Sequence, residues 1–365
     1  MEKRRAERQS GKMEKKRQPQ KTEEKILFIT TKNLDYIRNV QEIKLVKRKD
    51  PGAVIIGSYH KSYFLRLLKV WIQILFTDLK KFDIVWIGFA PQLVLPLFWK
   101  FRKKKVVIDF FISFYDTLCF DRRLVKAHGF LGKLLFLLDK HTLKAAHKVI
   151  CDTREHQSYF LDQFQERDKE YITLYLEADS RVFYPRAVEK PGKLAGKYVV
   201  LYFGGILPLQ GVKVILSAIE LLKEEEDLHF IMIGPLEKKY KATAPKGSNI
   251  TYISWLSHKE LAEYIAMADL CLAGHFQKDI QKACRTIPGK AYIYRAMKKP
   301  MILGDNKANR EIFAEGEGIT FVPMGDAKEL AQAIKLQAGR KISRKKISRQ
   351  KEESYRKEDK LAEGR

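Results

Sequence analysis

Lys197-Tyr-Val-Val-Leu-Tyr-Phe203-Gly204-Gly205-Ile-Leu-Pro208-Leu-Gln210-Gly211 reads as an unbroken apolar strand that runs into a glycine turn and opens a helix over 211–223. A strand apolar at every position is buried on both faces, which is the mark of a parallel sheet covered by helices. Downstream the alternation continues. Strands are expected at His229-Phe-Ile-Met-Ile-Gly, Ile250-Thr-Tyr-Ile, Leu270-Cys-Leu-Ala, Pro300-Met-Ile-Leu-Gly and Ile319-Thr-Phe-Val, with helices at 257–267, 288–297, 307–314 and 326–337. Upstream the same rhythm appears once more. Strands start at Lys25, Ala53, Asp83, Lys105 and Lys148, with helical patterns at 60–81, 91–102 and 122–147. The fold class is therefore α/β, with two doubly wound units in tandem and a cleft between them where the strand C-termini face each other. Pro185, Pro191 and Gly192 place the linker near 183–196 and divide the chain into units 25–185 and 186–337, flanked by basic tails 1–24 and 338–365.

The 365 residues carry 70 Lys+Arg against 44 Asp+Glu, a net charge of +26, with 45% hydrophobic residues, enough for a sizeable core. The excess is uneven: residues 25–188 hold 29 bases and 17 acids, whereas 189–337 hold 21 and 17. A polyanionic partner is implied, either nucleic acid, an anionic membrane or phosphate-bearing ligands. No nucleic-acid module is recognisable and few aromatics interleave the tail charges, which argues against RNA or DNA. Four cysteines without CxxC spacing fit a reducing, cytoplasmic setting. No run of 18 uncharged apolar residues and no signal-peptide pattern occurs, and the eight histidines show no metal-ligand spacing, so no metal or other cofactor is expected.

Several residues in this frame suit a bound diphosphate. Gly204, Gly205 and Gln210 lie in the turn before a helix N-terminus, which allows close backbone approach and favours anions; the pattern does not match GxGxxG, so a dinucleotide is not supported. Lys282, Arg285 and Lys290 surround Ile287-Pro288-Gly289 ahead of another helix and could converge on phosphate oxygens. Asp305 or Asn306 would cap the next helix. In the first unit Asp116, just past the fourth strand, could contact an acceptor hydroxyl or simply pair with Arg123. His156 and His275 each follow a strand and could face the cleft.

Residues 61–80 form an unusual amphipathic pattern, with Arg66, Lys69, Gln73 and Thr77 in a narrow polar stripe on an otherwise apolar helix. Such a helix either lies in a membrane interface with Trp71 at headgroup depth, or covers the sheet with its stripe facing water.

Phe203-Gly-Gly-Ile-Leu-Pro-Leu-Gln-Gly-Val, Ile231-Met-Ile-Gly-Pro, Leu261-Ala-Glu-Tyr-Ile-Ala-Met-Ala-Asp269-Leu, Ile287-Pro-Gly-Lys290-Ala-Tyr-Ile-Tyr and Gly304-Asp-Asn-Lys-Ala-Asn-Arg-Glu311, in this order over 197–337, resemble a retaining glycosyltransferase of family 4 with the two-Rossmann GT-B fold. The first half resembles that family's N-terminal domain more loosely, through Ser113-Phe-Tyr-Asp-Thr and the strand at 148–153. The resemblance implies a nucleotide-sugar donor in the C-terminal half, with Glu311 near it. It implies an acceptor in the basic N-terminal half, transfer with retention, and no required metal. A lipid-linked or surface-glycan acceptor for polysaccharide biosynthesis, met at the cytoplasmic face of an anionic membrane, completes the expectation. Asp116 and His275 are then the candidate catalytic residues. Departures stand beside the likeness. Gln210 replaces the Lys usual in the glycine turn, Gly205 replaces a basic residue, and the family's paired glutamates fall at Arg285 and Ile293. The missing glutamates leave a second expectation open, a decayed scaffold or partner subunit that binds without turnover.

Overall fold

A computed structural model describes residues 24–236, 240, 243–316 and 318–340. The expected tails therefore lie outside the described residues, apart from Glu24 and 338–340, which continue a helix spanning 327–340. The first sheet contains β1 (Ile26–Ile29), β2 (Val54–Ile56), β3 (Ile84–Ile87), β4 (Lys105–Asp109), β5 (Lys148–Cys151) and β6 (Glu170–Thr173), all parallel, in the order β2-β1-β3-β4-β5-β6. The second contains β7 (Tyr198–Phe203), β8 (Leu228–Ile233), β9 (Ile250–Ile253), β10 (Leu270–Gly274), β11 (Met301–Gly304) and β12 (Ile319–Val322), again parallel, in the order β12-β11-β10-β7-β8-β9. Two doubly wound Rossmann-like domains follow, as the apolar runs require. β6 is the strand that the sequence pattern does not reveal. It is short, begins with a charge and sits at the sheet edge, where one side is half exposed.

The order of the second sheet changes direction between β7 and β10. In open α/β sheets ligands bind in the crevice beyond the strand C-termini at such a point. The Gly204–Gly211 turn leaves β7 there, and His275 leaves β10. Gly211 has φ +68, and a Cβ on it would meet the Phe276 carbonyl carbon at 2.6 Å, so only glycine permits this turn to pack against the β10 exit.

The helices of the first domain are distributed unequally over its sheet. α1 (Ile37–Lys49) covers one face with Val46 against Ile26, Phe28 and Trp86. The other face carries α2 (Tyr63–Phe76), the 3₁₀ run Pro91–Phe101, α3 (Phe130–Ala145) and α4 (Arg154–Phe164), whose Val70, Ile74, Phe98, Leu143 and Phe160 share one core with Leu27, Ile29, Val85 and Ile108. Pro96 lies within the run at 91–101, and a helix-interior proline lacks the donor that the α form needs. The pattern over 122–147 yields a helix only from Phe130, because 122–129 remain turns and Asp116–Asp121 form a single π-type turn.

α2 covers the sheet as one reading expects, but its polar stripe does not face water as a unit. Arg66 is 4% exposed and faces inward together with Val70 and Ile74, while Phe64, Leu65, Leu68, Ile72, Leu75 and Phe76 are exposed. Trp71 is held inside as well, its Nε1 donating to the Leu93 carbonyl at 2.9 Å. Arg66 stacks over the Tyr63 ring at 5.0 Å and the Thr77 hydroxyl donates to the Gln73 carbonyl, while Lys69 of the same stripe is exposed and Arg66 Nε and Gln73 Oε1 are buried without a partner. Among the described residues, no helix is long and apolar enough to cross a membrane.

Candidate active site

The cleft between the two sheets is closed by direct contacts from both domains. On the C-terminal side, Lys290 enters from the first turn of the helix Gly289–Ala296 and is 5% exposed. Its ammonium donates to Gln210 Oε1 and sits 4.8 Å from the Tyr202 ring, while Tyr202 Oη and Gln210 Oε1 are 3.2 Å apart. A Cβ on Gly204 would lie 3.3 Å from Lys290 Cε, and Gly204 has φ +150, so the glycine lets the backbone of the turn come down onto the lysine. Burial holds the Lys290 amine down at about 7. Lys290, Gln210 and Gly204 thus meet at the crevice between β7 and β10, whereas Gly205 has open space beside it.

His275 is 3% exposed and its Nδ1 has no hydrogen-bond partner. Burial first, and then the nearby Lys290 charge, push its pKa down to about 3, so the ring is a neutral imidazole at any physiological pH.

On the N-terminal side, Asp116 is positioned by a relay of hydrogen bonds. The buried Asp139 carboxylate on α3 accepts from the Ser113 hydroxyl (2.6 Å), Gln92 Nε2 (2.8 Å) and the Tyr115 amide (2.9 Å), and the Ser113 hydroxyl in turn accepts from the Asp116 amide at 2.9 Å. Burial raises the Asp139 pKa, and those donors work against the shift. Asp116 Oδ1 accepts from Arg285 Nη2 at 2.8 Å and lies 3.3 Å from Tyr159 Oη; its Oδ2 is buried without a partner. The expected partner Arg123 instead donates to the Asp279 carbonyl, 3.1 Å away in the other domain.

Arg285 is therefore a bridge. It donates to Asp116, lies 3.6 Å over the Tyr159 ring, and its carbonyl accepts from the Thr153 hydroxyl. Lys282 crosses the same way, donating to the Thr117 hydroxyl at 2.9 Å, and it faces Asp121, whose pKa burial raises. Glu311 is engaged elsewhere than beside the turn. Its carboxylate accepts from the Arg154 and Glu155 amides at 2.9 and 2.8 Å and from Tyr175 Oη at 2.6 Å, so it caps the N-terminus of α4 from the other domain. His156 pairs with Asp152 at 2.7 Å and is fully buried away from the cleft. Asn306 does cap its helix, accepting from the Asn309 amide at 2.7 Å, and Asp305 pairs with Arg310.

Two cavities flank this bridge. One of about 730 Å³ is lined by Asp116, Tyr159 and Arg285 together with apolar Phe120, Leu124, Val125 and Ala127. The other, about 460 Å³, is lined by Asp121, Arg122, Arg123, Gly211, Lys213 and Gln277 beside the glycine turn. Tyr159, Thr153 and Asp121 are the site residues that motif reading passes over, although all three follow first-sheet strands at their C-terminal ends, where Asp116 was sought.

Two parallel Rossmann-like domains facing a common cleft define the GT-B fold. Residues 197–337, less than half of the chain, match the family model described as glycosyl transferases group 1. Solved structures share the whole architecture at low identity. The Anabaena protein HepE in complex with UDP superposes with a TM-score of 0.63 at 14% identity, covering 91% of this chain and 100% of that one. Sucrose-phosphate synthase from Thermosynechococcus elongatus gives 0.63 at 13% identity, over 91% and 98% of the two chains. A UDP-forming trehalose-phosphate synthase from Burkholderia xenovorans gives 0.57 at 10% identity, over 86% and 90%. No curated protein matches the chain.

Proposed function

We propose that this glycosyltransferase moves a sugar from a nucleotide-sugar donor to a membrane-linked or surface-glycan saccharide, with retention at the anomeric carbon, as a divergent relative of family 4. The observation that carries the donor half is the buried Lys290 ammonium against Gly204 and Gln210 at the direction change of the second sheet. HepE is described in complexes with UDP and with UDP-glucose, which supports a nucleotide-sugar donor. The departing diphosphate accumulates charge as the glycosidic bond breaks. Lys290, with Lys282 and Arg285 close by, would stabilise that charge in a crevice where water is scarce, and no metal is needed for the purpose.

Asp116 takes the acceptor side. Asp116 lines the larger cavity, with Oδ1 held by Arg285 and Tyr159 and Oδ2 buried; it would orient the acceptor hydroxyl for attack on the face the diphosphate leaves, the hydroxyl proton passing to the departing phosphate oxygen so that the configuration is retained. His275, neutral and buried beneath Lys290, would contribute shape and an imidazole dipole and would not carry a proton to the leaving group. Apolar Phe120, Leu124 and Val125 on the same cavity suit an acceptor with a lipid portion, presented by an anionic membrane at its cytoplasmic face. Glu311 would contact the donor only if it exchanged its bonds to α4. The test is a thermal-shift and turnover panel of UDP-, GDP-, ADP- and dTDP-sugars. A ligand of the native state must raise the melting temperature, and Lys290→Ala should abolish both the shift and the turnover. A shift without any turnover would favour the decayed-scaffold reading.

A further inference from the structure

We infer that the outward side of the α2–α3 layer is a membrane-embedding face that holds the apolar cavity of the cleft against an anionic bilayer. This rests on the membrane-linked acceptor proposed above and says which surface meets the lipid. α2 and α3 cover the same face of the first sheet with the 3₁₀ run between them, so their outer sides point the same way. α2 presents Leu65, Leu68, Ile72 and Phe76, of which Phe76 is 86% exposed, and α3 presents Phe130, 87% exposed, with Leu134 and Leu137. The helical spacing makes each row continuous, and Trp99 on the 3₁₀ run is exposed between them.

An apolar row of this kind could be covered by a second copy or by lipid, and the surrounding charge selects lipid. Between residues 120 and 148 both acids, Asp121 and Asp139, are buried, while Arg122, Arg123, Lys126, Lys133 and Lys144 are exposed. Around α2, exposed Lys61, Lys69 and Lys80 outnumber exposed Asp78, and a predominantly basic rim repels its own copy and attracts anionic headgroups. The layer also leads to the site. Leu135 and Phe136 of α3 pack with Tyr115, Cys119 and Val125, and the 120–127 segment lines the 730 Å³ cavity. In a βα unit each helix begins at the strand C-terminal end, so Phe130 lies at the cleft end of its row. The hydrocarbon part of an acceptor would pass along Leu124 and Phe130 while its saccharide reaches Asp116.

The experiment uses the full chain with phosphatidylcholine vesicles, with and without phosphatidylglycerol, in a flotation assay over a salt series. Wild type should float with the anionic vesicles and lose binding as salt rises. L68E/I72E and F130S/L134S should each weaken binding about tenfold or more, with little change in melting temperature and unchanged thermal shift by nucleotide sugar, because these side chains are about half exposed or more. Unaltered flotation of both variants would overturn the assignment. So would a concentration-dependent dimer of wild type that the same substitutions dissolve without any vesicle binding. Transfer to a water-soluble acceptor analogue separates the two claims. Flotation without transfer sinks the acceptor reading alone, and transfer without flotation sinks the face alone.

Discussion

The two halves of this molecule share one architecture and finish it differently. In the C-terminal domain the described exposed large apolar side chains, Leu207, Leu221, Trp255 and Leu336, fall on four separate elements. In the N-terminal domain many of them form rows on α2 and α3, beside scattered ones such as Val54 and Ile172, and the inward side of α2 carries an arginine. Charge follows the same division, with a net +12 on residues 25–188 and +4 on 189–337. A donor domain needs a few cations at one crevice, and here Lys290 stands at that crevice. A domain that meets a lipid-borne acceptor has use for a basic, apolar outer face.

The largest expected effect lies at that crevice. Lys290→Ala should lower kcat/KM by about 10²–10³-fold, the usual loss when one preorganised charge-stabilising donor is removed. Steady-state kinetics with the active nucleotide sugar checks this, and a loss below tenfold would remove Lys290 from the diphosphate site.

Next in size is the contrast between the two sides of α2. Ile74→Ala, on the fully buried side, should cost about 2–5 kcal/mol in denaturant unfolding. Leu68→Ala, on the exposed side of the same helix, should stay within about 0.5 kcal/mol of wild type. Equal costs would mean that the outer row is packed in the free protein and is no docking surface.

Smaller again is the pH dependence of donor binding. Below about 7 the Lys290 amine is already charged; above it the free protein must take up a proton to pair with diphosphate. Affinity should therefore fall as pH rises through 7, approaching tenfold per unit, with proton uptake visible in calorimetry across buffers of different ionisation enthalpy. The stability sign is opposite. The unfolded lysine titrates near its ordinary 10.5, so between about 7 and 10.5 the unfolded chain holds a proton the folded one lacks, and this group adds stability as pH rises. Lys290→Met should remove both trends.

The smallest effect on donor binding concerns domain closure. Thr153→Ala removes a hydroxyl that both donates to the Arg285 carbonyl and caps α4 by accepting from the His156 amide; it should cost about 1–3 kcal/mol, read as a fall in melting temperature with donor affinity nearly intact.

The fold was legible because its strands are unbroken apolar runs; Tyr198–Phe203 and Leu228–Ile233 admit no other reading. β6 escaped because an edge strand with alternating half-exposure carries a weak signal. α2 was recognised as amphipathic but its orientation was not, since periodicity marks two faces without saying which one the sheet takes. The structure brings Gly204, Gln210 and Lys290 together at one crevice, whereas Lys282 and Arg285, expected to converge with Lys290, reach Thr117 and Asp116 of the other domain. The pairing of Asp116 with Arg285 was not legible, because those residues are 169 positions apart and meet only when the two domains close. Glu311 teaches the converse. A residue can hold a family-like position in the sequence while its carboxylate is spent on the N-terminus of a helix from the other domain.

The central claim is transfer from a nucleotide sugar to a lipid-borne saccharide, and radiolabelled sugar transfer into a vesicle-extracted lipid fraction tests it most directly. With the donor that gives the strongest thermal shift, labelled glycolipid is expected that keeps the anomeric configuration of the donor and is lost with Lys290→Ala and Asp116→Asn. Label that stays wholly in the nucleotide sugar, for every donor that binds, would contradict it.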